Sequence, residues 1–239
     1  AILFGVFLLI GVYEFCKMAS LNLFVSLPIA AISYYFLWNK SQNFTIKTII
    51  VSLSIIISIK LLLYLFNTQK TNFKIATRYL LLIGYIIIPF VITNYVAIGK
   101  NGYNPKILIS ILILIWANDT FAYLVGKNFG KNKLFPSVSP KKTIEGFVGG
   151  MFFTIISSVL LSKFYIESNI LYIWIIIAII VSIFSTLGDL IQSKFKRVAG
   201  IKDSGKIMPG HGGILDRLDS IIFVIPFINL FYLILYYVS

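Results

Sequence analysis

Long apolar runs separated by short polar stretches set the pattern of this chain. Eight runs stand out, at about residues 1–16, 20–37, 47–66, 78–98, 106–126, 143–163, 170–188 and 214–237. Each approaches the ~20 apolar residues that an α-helix needs to cross ~30 Å of hydrocarbon. A membrane β-barrel would show ~10-residue segments of strict alternation instead, and these runs do not alternate. The pattern predicts an all-α polytopic membrane protein with about eight transmembrane helices. Pro28, Pro89 and Pro226 fall inside runs and should kink them, which is tolerable where neighbouring helices satisfy the freed carbonyls. No internal repeat and no soluble domain stands out.

Composition agrees with that pattern. Of the 239 residues, 59% are hydrophobic and 12% charged, with a mean hydropathy of +0.93. A soluble domain carries about 25% charged residues. The formal net charge of +13 sits in the loops. With the runs as spans, 14 of the 21 Lys and Arg lie in loops on one side and five on the other, with Lys60 and Arg217 inside spans. The richer side is expected to face the cytoplasm, where it suits anionic lipids and nucleotides. Without a soluble domain, a basic nucleic-acid binder is excluded. Cys16 is the single cysteine, so neither an intramolecular disulfide nor a CxxC metal site is available. No cleavable signal peptide is visible. The chain starts without Met, at an Ala1 already inside an apolar run, which reads as a trimmed or incomplete start.

The remaining charge is concentrated. Residues 193–219 read SKFKRVAGIKDSGKIMPGHGGILDRLD and hold three of the eight acidic residues, six of the 21 Lys and Arg, the only histidine and five glycines. Carboxylates at membrane depth are costly and usually functional. Six of the eight, Asp119, Glu145, Glu167, Asp189, Asp203, Asp216 and Asp219 less the remote Glu167, cluster in or beside the two polar loops at 127–142 and 189–213. Asp216 and Asp219 are three apart at the start of the last run and project from nearly one face. Asp189 ends the run before. Carboxylates converging from two helix ends, with no Cys or His cluster, suit a hard cation such as Mg²⁺.

The neighbouring residues point to phosphate. PGHGG at 209–213 lets the backbone approach an anion closely, with a helix N-terminus behind it. Lys196, Arg197, Lys202 and Lys206 make with it a polyphosphate cradle. On a helical continuation of the seventh run, Asp189, Ser193 and Arg197 share a face; the bland alternative is a solvated juxtamembrane helix. His211 either donates to a phosphate oxygen or serves as a structural hydrogen-bonder. In the other loop, Asp119 lies about two turns inside the fifth run, too deep for an idle charge. SPKKTIEG at 139–146 offers Lys141 and Lys142 to neutralise phosphates and Glu145 to orient one or hold metal. Ser139 or Thr143 should cap the sixth span. Lysines that merely mark a helix start are the alternative there.

These residues resemble the phosphatidate cytidylyltransferases, the CDP-diacylglycerol synthases. That family's pattern is Ser-x-apolar-Lys-Arg, four residues, Lys-Asp, a Pro-x-His-Gly-Gly, and then Asp-Arg-x-Asp. Ser193, Lys196, Arg197, Lys202, Asp203, Pro209, His211, Gly212, Gly213, Asp216, Arg217 and Asp219 occupy those places without a gap. The 117–150 stretch is also similar, through Asp119, Ala122, Tyr123, Gly126, Gly130 and SPKKTIEG, and Glu14 in its YEF context resembles the family's N-terminal part. The likeness covers roughly residues 80–239. It implies transfer of CMP from CTP to phosphatidate, with Mg²⁺, either alone or joined by a second cation such as K⁺, held by Asp189 and Asp216. It also implies a homodimer and, with the Ile/Lys/Asn-rich usage, a bacterial plasma membrane.

The expected organisation is therefore N-terminal transmembrane helices over 1–100 and a catalytic region over 101–239. The expected catalytic set is Asp189, Asp216, Asp219, Lys196, Arg197, Lys202 and His211. Ser139, Lys142, Thr143, Ser193, Gly212, Gly213 and Arg217 are expected to bind substrate. The nucleophile is a phosphate oxygen already largely ionised at neutral pH, since a monoester's second pKa is near ~6. The lack of a Ser-His-Asp arrangement is then unsurprising. A transporter would place its charges nearer mid-membrane within inverted repeats. A CDP-alcohol phosphotransferase would carry D-x2-D-G-x2-A-R, which is absent. A lipid kinase, a CDP-archaeol synthase or a non-catalytic scaffold remain alternatives.

Overall fold

Every predicted run folds as a helix. The computed structural model describes residues 2–39, 43–67, 73–99, 102–167, 170–205, 207 and 212–238. Among these, the helices are α1 (Ile2–Ala19), α2 (Leu23–Asn39), α3 (Phe44–Phe66), α4 (Ile75–Val96), α5 (Pro105–Phe129), α6 (Ile144–Ile166), α7 (Leu171–Val198) and α8 (Leu215–Val238). Seven are long and apolar enough to cross a membrane; α2, with 17 residues, is the shorter one. The chain is an all-α polytopic membrane protein. Two short antiparallel hairpins depart from that description, β1 (Ile98–Gly99) with β2 (Gly102–Tyr103) and β3 (Lys133–Phe135) with β4 (Ser139–Thr143).

Local sequence explains the helix ends. Asn43, Asn104 and Thr143 cap α3, α5 and α6 by accepting from the backbone N–H of Ile46, Lys106 and Gly146, each satisfying one of the orphan donors of a first turn. Of the two candidate caps for α6, Thr143 serves and Ser139 instead begins β4, opposite Phe135. Pro89 has no N–H to continue an α-ladder, and the turns just before it, Leu82–Ile87, are π-helical. α7 runs ten residues past the end of its apolar run, so Asp189, Ser193, Lys196 and Arg197 stand on a helix and not in a loop.

α4 and α8 are the central helices. Leu82, Ile86, Ile87 and Ile92 of the first and Phe223, Val224, Ile225 and Ile228 of the second are sealed from the outside. α3, α4 and α7 pack on α8, and α5 and α6 pack with α7 beside it. Buried amides and hydroxyls tie the helices together: Asn229 Nδ2 donates to Ile92 O at 3.2 Å, and Tyr95 OH to Leu37 O at 2.9 Å. Each such bond inside a membrane is worth ~0.6 kcal/mol on average. Lys194, one residue from the site face of α7, turns its ammonium onto the last carbonyls of α3, donating to Tyr64 O, Leu65 O and Asn67 O. A cation at a helix C-terminus meets the macrodipole there. It fixes α7 against α3 just where α7 leaves the apolar core.

Candidate active site

Between α5, α6, α7, α8 and the β3–β4 hairpin lies a cavity of about 630 Å³. Both polar stretches of the sequence reach it. Four carboxylates line it, Asp119, Asp189, Asp216 and Asp219, together with four lysines, Lys127, Lys133, Lys141 and Lys142. The acids come from helices and the cations chiefly from the hairpin and the end of α5. Lys127, Lys133 and Lys141 are exposed, as is Asp119, whereas Asp189 and Asp216 are half-buried and Asp219 is buried, so the cavity has a basic rim over a floor of three acids, with Asp119 nearer the mouth. The hairpin was not foreseen. It carries Lys133 and Lys142 on paired strands, so a charge run that looks like loop becomes a rigid wall. Glu145, expected to face a phosphate, instead accepts from Lys131 N, Asn132 N and Asn132 Nδ2 and clasps the turn before β3.

Two ion pairs organise the floor. Lys142 Nζ lies 2.5 Å from Asp189 Oδ2, joining the hairpin to α7. Ser193 Oγ donates to the other oxygen of Asp189 at 3.2 Å, as the i, i+4 spacing predicts. Lys196 Nζ lies 2.7 Å from Asp216 Oδ1, joining α7 to α8. Asp216 Oδ2 also accepts from Ser204 N at 2.7 Å, Ser204 Oγ at 3.0 Å and Gly213 N at 2.9 Å. Asp219, one turn further on, accepts from Ser220 N at 2.7 Å. Gly212 has φ +84°, and a side chain on it would run into Asp216. The residue must be glycine for the chain to wrap that carboxylate.

Not every expected residue joins this group. Ser139 is absent from the cavity wall, and Thr143, which does line it, accepts from Gly146 N with its hydroxyl. Arg197 is exposed and donates to Ile201 O at 3.4 Å; Lys202 and Arg217 are exposed and off the wall. The Gly213 N–H, expected to meet phosphate, meets Asp216. His211 lies outside the described residues, as do Lys206 and Pro209. Besides Lys127 and Lys133 of the rim, three contributors were missing from the expected site. Asp119, noted as too deep to be idle but given no role, lines the cavity with Lys127 and Thr186. Ser204 is buried and bridges towards Asp216. Glu14 of α1 is buried too and accepts from Ser204 Oγ at 2.9 Å.

The amino-acid sequence matches a known family. A profile of the cytidylyltransferase family matches residues 1–235. The chain belongs to the cytidylyltransferase family. Individual relatives point the same way. The chain is 40% identical over 190 residues to a phosphatidate cytidylyltransferase of Staphylococcus haemolyticus, covering 79% of this chain and 70% of that protein. It is 41% identical over 191 residues to a phosphatidate cytidylyltransferase of Staphylococcus aureus (strain COL), with the same coverage. A phosphatidate cytidylyltransferase of Staphylococcus saprophyticus is 44% identical over 165 residues, which are 69% of this chain and 62% of the relative. For this cytidylyltransferase family member the cavity is thus the candidate seat of a nucleotidyl transfer. Its supply of both signs of charge suits a reaction that brings two polyanions together.

Proposed function

We propose that this chain transfers CMP from CTP to phosphatidate, giving CDP-diacylglycerol and pyrophosphate. The observation that carries the reading is the Lys142–Asp189 pair, which brings the two polar stretches of a cytidylyltransferase chain to one cavity. A phosphatidate oxygen forms the new bond to the α-phosphorus of CTP. The bond from that phosphorus to the oxygen bridging the β-phosphorus breaks, and pyrophosphate leaves with it. No base is needed, because the attacking oxygen is already ionised. The problem is repulsion, and catalysis consists of positioning and electrostatics.

The donor set fits Mg²⁺. Asp189 and Asp216 offer hard carboxylate oxygens from facing helices to one cavity. Among the described residues, no group of three or more His, Cys, Asp or Glu is placed to hold a metal ion, so Asp189, Asp216 and Asp219 do not stand as one three-carboxylate ligand set. That suits an ion usually held by one or two carboxylates plus substrate phosphates. In this reading Asp189 and Asp216 hold the metal with Asp219 in support, and the bound ion supplies charge neutralisation on the triphosphate and the departing pyrophosphate.

The chain's own groups do the rest. Lys142 lies beside Asp189 and turns towards phosphate oxygens when substrate enters, while Lys196 stays on Asp216 and presents its charge from there. Lys127, Lys133 and Lys141 draw the polyanion into the mouth. Ser193 orients Asp189. The Gly212 and Gly213 backbone shapes the loop around Asp216, while Arg197, Lys202, Arg217 and His211 serve the outer phosphates or lipid headgroups.

The lipid has its own entrance. An apolar pocket of about 190 Å³ shares Leu134, Phe147 and Thr186 with the polar cavity. Phosphatidate would place its phosphate over the acidic floor and its glycerol and chains along that pocket, with the basic rim facing the cytoplasm of a bacterial cell. The test is product identity. Detergent-purified protein with CTP, Mg²⁺ and either phosphatidate or diacylglycerol should form CDP-diacylglycerol from phosphatidate alone. Phosphatidate formed from diacylglycerol would make the chain a lipid kinase instead.

A further inference from the structure

Glu14 stands near the end of α1, a helix that sends no residue to the cavity wall. Its side chain is nonetheless 1% exposed and fully engaged at long range. One carboxylate oxygen accepts from Ile214 N at 2.9 Å, and the other from Leu215 N at 2.8 Å and Ser204 Oγ at 2.9 Å. All three donors are neutral. A buried carboxylate is costly unless its charge is met, and here it is met by the first N–H groups of α8 and by that helix's positive end. The helix N-terminus that the sequence offers to a phosphate is therefore filled by an anion from the chain itself.

The fit is close on every side. A side chain on Gly205 or on Gly213 would run into the Glu14 carboxylate. The segment held this way is also the one that holds Asp216. Ser204 gives its N–H to Asp216 Oδ2 and has one hydroxyl proton to share between that oxygen and Glu14, and Gly213, one residue before Ile214, gives its N–H to Asp216 Oδ2 as well. Among the described residues, the neutral donors to Asp216 are Ser204, which contacts Glu14, and Gly213, which is bonded to a residue that does.

We infer that Glu14 is a positioning residue for transfer: a fixed anion at the head of α8 that sets Ser204 and the Gly213–Leu215 backbone and, through them, the carboxylate of Asp216. It touches no substrate. Its effect on catalysis rests on the cytidylyltransferase reading, while its effect on the backbone at Ser204, Ile214 and Leu215 does not.

The test uses the full chain in detergent with Glu14→Gln, which keeps the volume but replaces one acceptor oxygen by a donor. Two readouts are taken, amide exchange across 204–215 and steady-state kinetics. Exchange at Ile214 and Leu215 should speed up while the core of α4 keeps its protection. The kcat should fall about 10- to 100-fold, the range typical of residues that orient a metal ligand, with KM for phosphatidate unchanged. Ser204→Ala, which leaves the Glu14 backbone bonds intact, should lower kcat in the same direction by less. It carries the test if the glutamine variant does not fold. Unchanged exchange and kcat in folded Glu14→Gln overturns the inference, as does an undiminished kcat in Ser204→Ala should that variant have to stand alone. If wild-type protein forms no CDP-diacylglycerol, the functional reading fails, and exchange alone still decides whether Glu14 sets the segment.

Discussion

The two Lys–Asp pairs on the cavity floor have the same chemistry and different surroundings. Lys142 and Asp189 have side chains 27% and 34% exposed, and beyond the lysine Asp189 accepts from Ser193 Oγ. Lys196 and Asp216 are 12% and 10% exposed, and Asp216 accepts three further bonds from Ser204 and Gly213. A pair open to water contributes at most ~1 kcal/mol, since solvent screens it. A mostly buried pair is costly to break, because the partner left behind is an uncompensated charge. The first pair is thus free to exchange partners with an arriving phosphate, and the second is part of the scaffold. One site holds a working pair and a structural pair.

Removing each acid in turn should separate the two. Asp216→Asn should lower pyrophosphate release at least about 100-fold. In the same protein the melting temperature should fall by roughly 5–10 °C, because Lys196 is left buried and unpaired. Asp189→Asn should lose as much activity, yet its melting temperature should move by no more than ~2 °C. Equal thermal shifts in the two variants would erase the distinction. Lys142→Met sharpens it: KM for CTP should rise about 10-fold with little thermal change, and added salt should weaken wild-type binding more than it weakens the variant. Arg197→Ala should have the smallest effect, within ~3-fold in kcat/KM, since an exposed cation away from the cavity acts mainly through screened, long-range attraction. A large loss there would bring the outer end of α7 into the site.

Much of this molecule was legible in its residues because the bilayer restricts the options. An apolar run of fixed length has one folded form in hydrocarbon, so all eight helices could be placed. The i, i+4 relation of Asp189 and Ser193 was legible too, because it depends on helix geometry alone. What escaped depended on pairing across the chain. Lys142 and Asp189 are 47 positions apart, and nothing local says which lysine meets which acid. The β3–β4 hairpin was hidden in a stretch whose lysines read as a charged loop. Glu14 and Leu215 are 201 positions apart. Beside its YEF context, the local signal for Glu14 was its isolation: a carboxylate on an apolar helix needs a partner from elsewhere. Through the bonds of Glu14 the first helix meets Ser204 and the N-terminus of the last.

The central claim is that phosphatidate attacks CTP over the floor between these two pairs. Pyrophosphate release by purified wild-type protein, with and without phosphatidate and beside Asp189→Asn, tests it most directly. The account predicts release that requires phosphatidate, matches the CDP-diacylglycerol formed mole for mole, and is lost in a variant that melts like wild type. Release of equal rate without lipid, or undiminished release from Asp189→Asn, would contradict it.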